Sequence, residues 1–391
     1  MSSTDRFEAT IIVGNTPNGD PAVAQAAPFQ YIPDPGDGTG IAAAIAAAAA
    51  NNGDMRIRIR PGVYLFSAGQ LPLTIPRNTI VEGSGIATSL SAADVDERTV
   101  FTLDQSASLR DLEISLGSPT GQAPSGAFVV QLGERASALR VVANVGSGEA
   151  DQEDDSLTGV FGFFGSGAWA QDCDAWIVDP PTTGTPTLAA YQVGPRQSGP
   201  TVTDARILDC TSNIDSQGDL LWVAGSASRL TARVSGGGVR GAQVSGSDHT
   251  IELDATLETD LGFTPPYAYV IAASNSRFDL SVRDGNASMD GYVSSGGASR
   301  ANIFELHAYG TTSAAGVSEA GSDNAWTGVC GGGAVVVTGD RNTFTNFRTS
   351  AIGVAPQALT VSGDDNVFVT CRFGSETDTG TGNESSHNLT M

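Results

Sequence analysis

Short runs in which apolar and polar residues alternate recur along the chain, each introduced by a cluster of Gly, Ser, Asp and Asn. "TIELDATLE" (Thr250 to Glu258) and "RFDLSVRD" (Arg277 to Asp284) alternate with period two, the spacing of a strand with one buried face. No helical periodicity separates these runs, which excludes βαβ units and requires consecutive strands to stack by coiling. The runs share one frame. Gly363-Asp-Asp-Asn366-Val-Phe368 matches Gly339-Asp-Arg-Asn342-Thr-Phe344, Gly321-Ser-Asp-Asn324-Ala-Trp326 and Gly246-Ser-Asp-His249-Thr-Ile251. Degenerate copies run through Ala273 to Phe278 and Ala298 to Ile303, and the apolar anchor recurs upstream at Leu230, Ile207, Ala170, Leu139, Leu109 and Ile80. Twelve anchors between Ile80 and Phe368 give a period of about 26 residues, within the range of solenoids. The pattern predicts an all-β chain, a single-stranded parallel β-helix of roughly twelve rungs.

The N-terminal part breaks the pattern. Ile41 to Ala50 is almost pure alanine with isoleucine at 41 and 45, a strong helix former stopped by Asn51-Asn52-Gly53. A solenoid needs its first rung covered, because an open rung exposes unpaired backbone and apolar surface, and this helix is the expected cap. The expected division is an arm outside the solenoid at 1–33, the capping helix and first strand at 34–70, the β-helix at 71–375 and a polar tail at 376–391.

"DGTGIAAAIAAAAANNGDMRIRIRPGVYLF" (Asp37 to Phe66), followed by "LTIPRNTIVEGSG" (Leu73 to Gly85), resembles the opening of the pectin lyase-like superfamily of right-handed parallel β-helices. There an Asp-Gly-x-x-x-Ile-x-x-Ala helix precedes a strand ending in Pro-Gly-x-Tyr, here Pro61-Gly62-Val63-Tyr64. With a short arm ahead of it and no basic-then-apolar leader, this opening looks most like a bacteriophage tail or tailspike protein. The resemblance implies a right-handed coil, a homotrimer, contact with other virion proteins through the arm, a virion location after synthesis in the host cytoplasm, and host-surface polysaccharide as partner. The polygalacturonases of the superfamily carry Gly-His-Gly and a basic Arg-x-Lys; this chain has no Gly-His-Gly and no lysine.

Charge narrows the partners further. The formal net charge is −23, which repels nucleic acid and anionic membrane surfaces, and no apolar run approaches membrane-spanning length. Cys173, Cys210, Cys330 and Cys371 lack Cys-x-x-Cys spacing and read as buried thiols, and three scattered histidines give no metal cluster. No metal and no cofactor is expected.

Asp364-Asp365 occupies the turn position of its frame, where short polar side chains bond the turning backbone, so it reads as a turn and not as half of a catalytic pair. Asn324, Asn342 and Asn366 share one column and predict a hydrogen-bonded amide ladder, with His249 stacked in the same column. The two widest anchor spacings are consecutive and hold insertions Gly146 to Gly159 and Asp179 to Pro200, which are expected to project side by side, as functional loops on a rigid platform do. Between them lies "WAQDCDAW" (Trp169 to Trp176), matched by "ILDCTS" (Ile207 to Ser212). Aligning Cys173 with Cys210 stacks Asp172 over Asp209 at one strand spacing, about 5 Å, a separation used by retaining glycosidases. Asp172 and Asp209 are therefore the catalytic candidates, and Trp169, Asp174 and Trp176 the glycan-binding candidates, the indoles serving as flat apolar platforms. The alternative is that the tryptophans belong to the core and the aspartates end strands.

Two functions stay open at this level: a phage virion protein that holds host-surface glycan, and a polysaccharide depolymerase, hydrolase or lyase, working through flank carboxylates.

Overall fold

The computed structural model describes residues 9–14, 29–92, 99–116, 128–146, 159–178, 189–195, 201–214, 219–237, 240–257, 268–284, 292–309, 315–350, 355–386 and 388–390. The chain forms two compact units, Met1–Pro195 with Asp204–Asn213 and Arg196–Thr203 with Ile214–Met391. Each is a right-handed parallel β-helix, and every strand pair in the described residues is parallel. A rung has a wide-sheet strand, a loop, a narrow-sheet strand and a corner leading to the next wide strand.

In the first unit the wide sheet carries Val81, Leu109, Ala138, Ala170 and Ile207 in one register column, all buried. In the second the column reads Ala232, Ile251, Phe278, Phe304, Trp326, Phe344 and Phe368. Its aromatics stack continuously, with Phe304 and Trp326 rings 4.0 Å apart and nearly parallel. These columns hold the expected anchors with four slips. Val81 replaces Ile80, Ala138 replaces Leu139, Phe304 replaces Ile303, and Ala232 replaces Leu230. A one-residue slip moves a side chain to the opposite face, and Ile303 is accordingly 48% exposed. The cluster "SSGGASRAN" (Ser294 to Asn302) has several turn residues in a row and leaves its frame undetermined by composition.

The helix spans Thr39–Ala50 and buries Ile41, Ala44, Ile45 and Ala48 against the first strands. Its start is organised by Asp34, a buried carboxylate whose Oδ1 accepts the N–H groups of Gly36, Asp37 and Gly38 and whose Oδ2 accepts that of Ile41. Two boundaries need correction. The expected arm at 1–33 contributes strands to the wide sheet: Ala9–Gly14 pairs with Phe29–Pro33 on one side and Met55–Ile59 on the other. The expected tail at 376–391 also continues the coil, with Glu376–Asp378 on Leu359–Val361 and Glu384–Ser386 on Val367–Val369. Both segments are short or polar, so alternation alone does not announce them, and backbone pairing holds them in place.

The turn frame is a left-handed corner. Asp248, Asn275, Ala301, Asp323, Arg341 and Asp365 all have φ between 51° and 60°. Gly339 and Gly363 recur beside it because a Cβ there would collide with the carbonyl oxygen of the preceding rung's glycine, Gly321 and Gly339 respectively. Asp364 faces solvent and accepts the Thr381 N–H at 2.7 Å and its hydroxyl at 2.8 Å, bonds that hold its carboxyl below the ordinary range. Asp364-Asp365 is a turn. The amide ladder is present with a different bonding pattern from amide to amide. Each Oδ1 accepts the backbone N–H of the preceding rung, from Asn302 (to Asn324) through Asn324 and Asn342 to Asn366 (to Asn383), at 2.7–2.9 Å. The corner leaves that N–H without a strand partner, and the amide oxygen is the nearest acceptor. His249 shares the column: Nδ1 accepts the Leu230 N–H and Nε2–H donates to Ser245 O, with burial lowering its pKa.

Candidate functional site

The five candidate residues lie in the first unit, on and beside a second left-handed corner that bends each wide-sheet strand. Asp111, Arg140, Asp172 and Asp209 occupy that corner on successive rungs with φ between 51° and 54°. Aspartate tolerates this conformation better than most residues. Gln171 pairs with Leu208, Asp172 N–H donates to Leu208 O at 3.1 Å, and Thr211 N–H donates to Cys173 O at 2.9 Å. The register therefore sets Asp172 beside Asp209, one strand spacing of about 4.8 Å apart, and both are exposed. Arg140 clamps Asp111 through Nε at 2.5 Å and Nη2 at 2.8 Å, which raises the guanidinium pKa; Asp172 contributes to the same shift from the other side. The column thus reads acid, base, acid, acid.

Trp169 and Trp176 flank the corner, and neither belongs to the core. Inward positions go to Ala168, Ala170, Ala175 and Ile177, all buried. Trp169 is half-buried on the outer face, in register with Ser137 and Arg206. Trp176 is 43% exposed, in register with Asn144. Asp174, two residues before it and on the same face, accepts the Thr211 hydroxyl and lies in register with Val142; Glu113, in register with Val142 on the preceding rung, accepts from Asn144 Nδ2 at 3.0 Å. The outer face beyond the corner is thus a row of hydrogen-bonding groups (Glu113, Asn144, Asp174) with one indole plane open to solvent. Asn144 Oδ1 is buried and has no partner.

Behind this face the interior is rigid. Tyr191 O–H is buried between the carbonyl oxygens of Cys173 and Thr211, at 2.9 and 2.7 Å, and its ring stacks on Phe161. Cys173 and Cys210 are buried free thiols, and burial pushes the Cys173 pKa up. Sequence reasoning missed Tyr191, Arg140 and the corner itself; a charged residue at the same point of four successive strands was the available signal. The two expected insertions lie outside the described residues for most of their length, but Ala189–Val193, inside the second, is a buried strand of the narrow sheet and not loop; the segments leading to it and to Gly159–Phe163 begin and end side by side, Gly146 pairing with Val178 and Gly159 with Ala189. Among the described residues no group of three or more His, Cys, Asp or Glu is placed to hold a metal ion. No helix of the described residues is long and apolar enough to cross a membrane.

No family model and no curated protein matches the chain. Among solved structures it is similar to parallel β-helix proteins. Tailspike protein 3 of bacteriophage CBA120 is 14% identical with a TM-score of 0.44, the match covering 89% of this chain and 54% of that one. The A-module of an Azotobacter vinelandii mannuronan C-5 epimerase is 14% identical at TM-score 0.42, covering 91% and 97%. The catalytic domain of a GH87 α-1,3-glucanase is 10% identical at TM-score 0.44, covering 93% and 70%. At such distances no residue role passes from those proteins to this one.

Proposed function

We propose that the chain is a tail-associated virion protein of a phage, tailspike-like, whose first unit holds host-surface glycan on the outer face around Trp176. The observation that supports it is an indole 43% exposed on the outer face of the sheet, two residues after Asp174 on the same face. Trp176 and the second unit's Tyr309, 44% exposed, are the large aromatics among the described residues that stand open to solvent, and an indole so placed beside hydrogen-bonding groups on a rigid sheet reads as a platform for a flat apolar ring face. Asp174, Glu113 and Asn144 supply acceptors and donors for sugar hydroxyls beside it. Asp172 beside Asp209 keeps a second reading open, a depolymerase working at the corner. Incubating the protein with host capsule or cell-wall glycan separates the two: binding weakened at least tenfold by Trp176→Ala, with no new reducing ends or unsaturated sugars, is expected. Turnover abolished by Asp172→Asn would replace binding with catalysis, and no binding to any host glycan would end the proposal.

The same proposal includes a homotrimer. Copies carrying −23 each repel one another except across uncharged surface. The second unit offers it: Ile303, Ala325, Thr343 and Val367 form one outward column, and Ser294, Ser318, Val336 and Thr360 another. Light scattering at micromolar concentration is expected to give a trimeric mass that falls to monomer in Val336→Asp. A monomeric wild type refutes the trimer.

A further inference from the structure

The inward column of the narrow sheet in the second unit reads Val270, Ser295, Glu319, Val337 and Val361. A carboxyl thus stands in a row otherwise apolar or hydroxylic, and it is 0% exposed. Glu319 Oε1 accepts the Gly321 N–H at 2.5 Å and Oε2 accepts Trp326 Nε1–H at 2.7 Å. Ser295 Oγ and Asn324 Nδ2 lie against the carboxyl, both buried and neither with a well-formed hydrogen bond. No cation faces it. Val293–Ser295, Ala325–Gly331 and Ala334–Val337, the strands packed against it, contain no charged residue. Cys330 is the titratable group among them, and burial pushes its thiol up to about 12, so it stays neutral. Asp323 and Arg341 at the adjoining corner pair with each other on the outside.

We propose that Glu319 is a proton-operated latch: protonated, it gives its O–H to Ser295 Oγ and closes the corner through Gly321 and Trp326; ionised, it releases its proton to water and loosens these rungs. Ser295 Oγ needs a donor and stands in register with the acid, which accounts for a hydroxyl at this point of the column. The latch acts on the amide ladder too, since Asn324 belongs to both. Desolvation raises the Glu319 pKa from 4.5 to about 7, with the bonds from Trp326 and Gly321 opposing it. A folded pKa above the unfolded one means that stability is full below pH 4.5 and is lost as pH rises through about 7. The interval corresponds to on the order of a hundredfold in the folding equilibrium.

Hydrogen exchange on the intact chain tests it, with rates corrected for intrinsic pH dependence. Between pH 5.5 and 8, protection in peptides covering 315–331 is expected to fall at least tenfold in the wild type. Glu319→Gln, which cannot ionise and keeps one of the two acceptor bonds on its amide oxygen, should show no such fall, and neither should Glu319→Val, which restores the residue type of Val337 and Val361. An equal response in wild type and variants, or an unchanged wild type, overturns the latch.

Discussion

The residue that follows the left-handed corner is alanine on four rungs of the first unit, after Thr79, and polar on six rungs of the second, after Leu230. Ala107, Ala136, Ala168 and Ala205 stack in one buried column; His249, Ser276, Asn302, Asn324, Asn342 and Asn366 stack in the other. The corner N–H is satisfied differently in each. Ala107 N–H donates to Asp104 O at 3.0 Å and Ala136 N–H to Gly133 O at 3.2 Å, so the turn closes within its own rung. Asn302, Asn324 and Asn342 donate instead to the side-chain oxygen of the next rung. A buried donor must find an acceptor, and the two units solve this with local and with inter-rung bonds. Corners of the first unit are therefore joined from rung to rung by backbone bonds such as Ser106 N–H to Glu134 O, and those of the second by the side-chain ladder as well.

Breaking the ladder should have the largest effect. Asn342→Ala leaves Asn324 N–H and Gly321 O buried without their partners, at a cost of about 2–4 kcal/mol in urea unfolding. Grafting the other way, Ala136→Asn places an amide among alanines that offer it nothing, and about 1–3 kcal/mol should be lost. If Ala136→Asn is neutral, the two corners are not distinct. Ser276→Asn extends the ladder by one amide between His249 and Asn302 and should change stability by less than about 1 kcal/mol, in the stabilising direction. The smallest effect belongs to the exposed pair Arg140 and Asp111, where Arg140→Ala should cost about 0–1 kcal/mol despite its two bonds.

These differences bear on what the sequence made legible. Asparagine at Asn324, Asn342 and Asn366 repeats because burial demands an acceptor there, and the frame could be read from it. Asn302 went unseen only because the glycine-rich run before it allows a one-residue slip. The alanine column leaves no signature, since alanine is common and makes no bond through its side chain. The candidate site was half legible. Cys173 over Cys210 fixed the stacking of Asp172 and Asp209, while the outward facing of Trp169 and Trp176 depended on the bend at Asp172, whose φ of 51° no propensity announces. Glu319 was invisible: it ends an ordinary strand, and only the closed coil shows that it points inward.

Fluorescence titration of the purified protein with host-surface polysaccharide tests the glycan-binding face most directly. Trp176 is the indole most open to solvent among those described, Trp326 being 1% and Trp222 7% exposed, so ligand on the outer face should shift and enhance the emission. The account predicts a saturable blue shift in the wild type that is lost in Trp176→Phe, whose fold and unfolding midpoint remain those of the parent. A saturable shift retained in full by Trp176→Phe, or none in either protein despite proven adsorption to host cells, would contradict it.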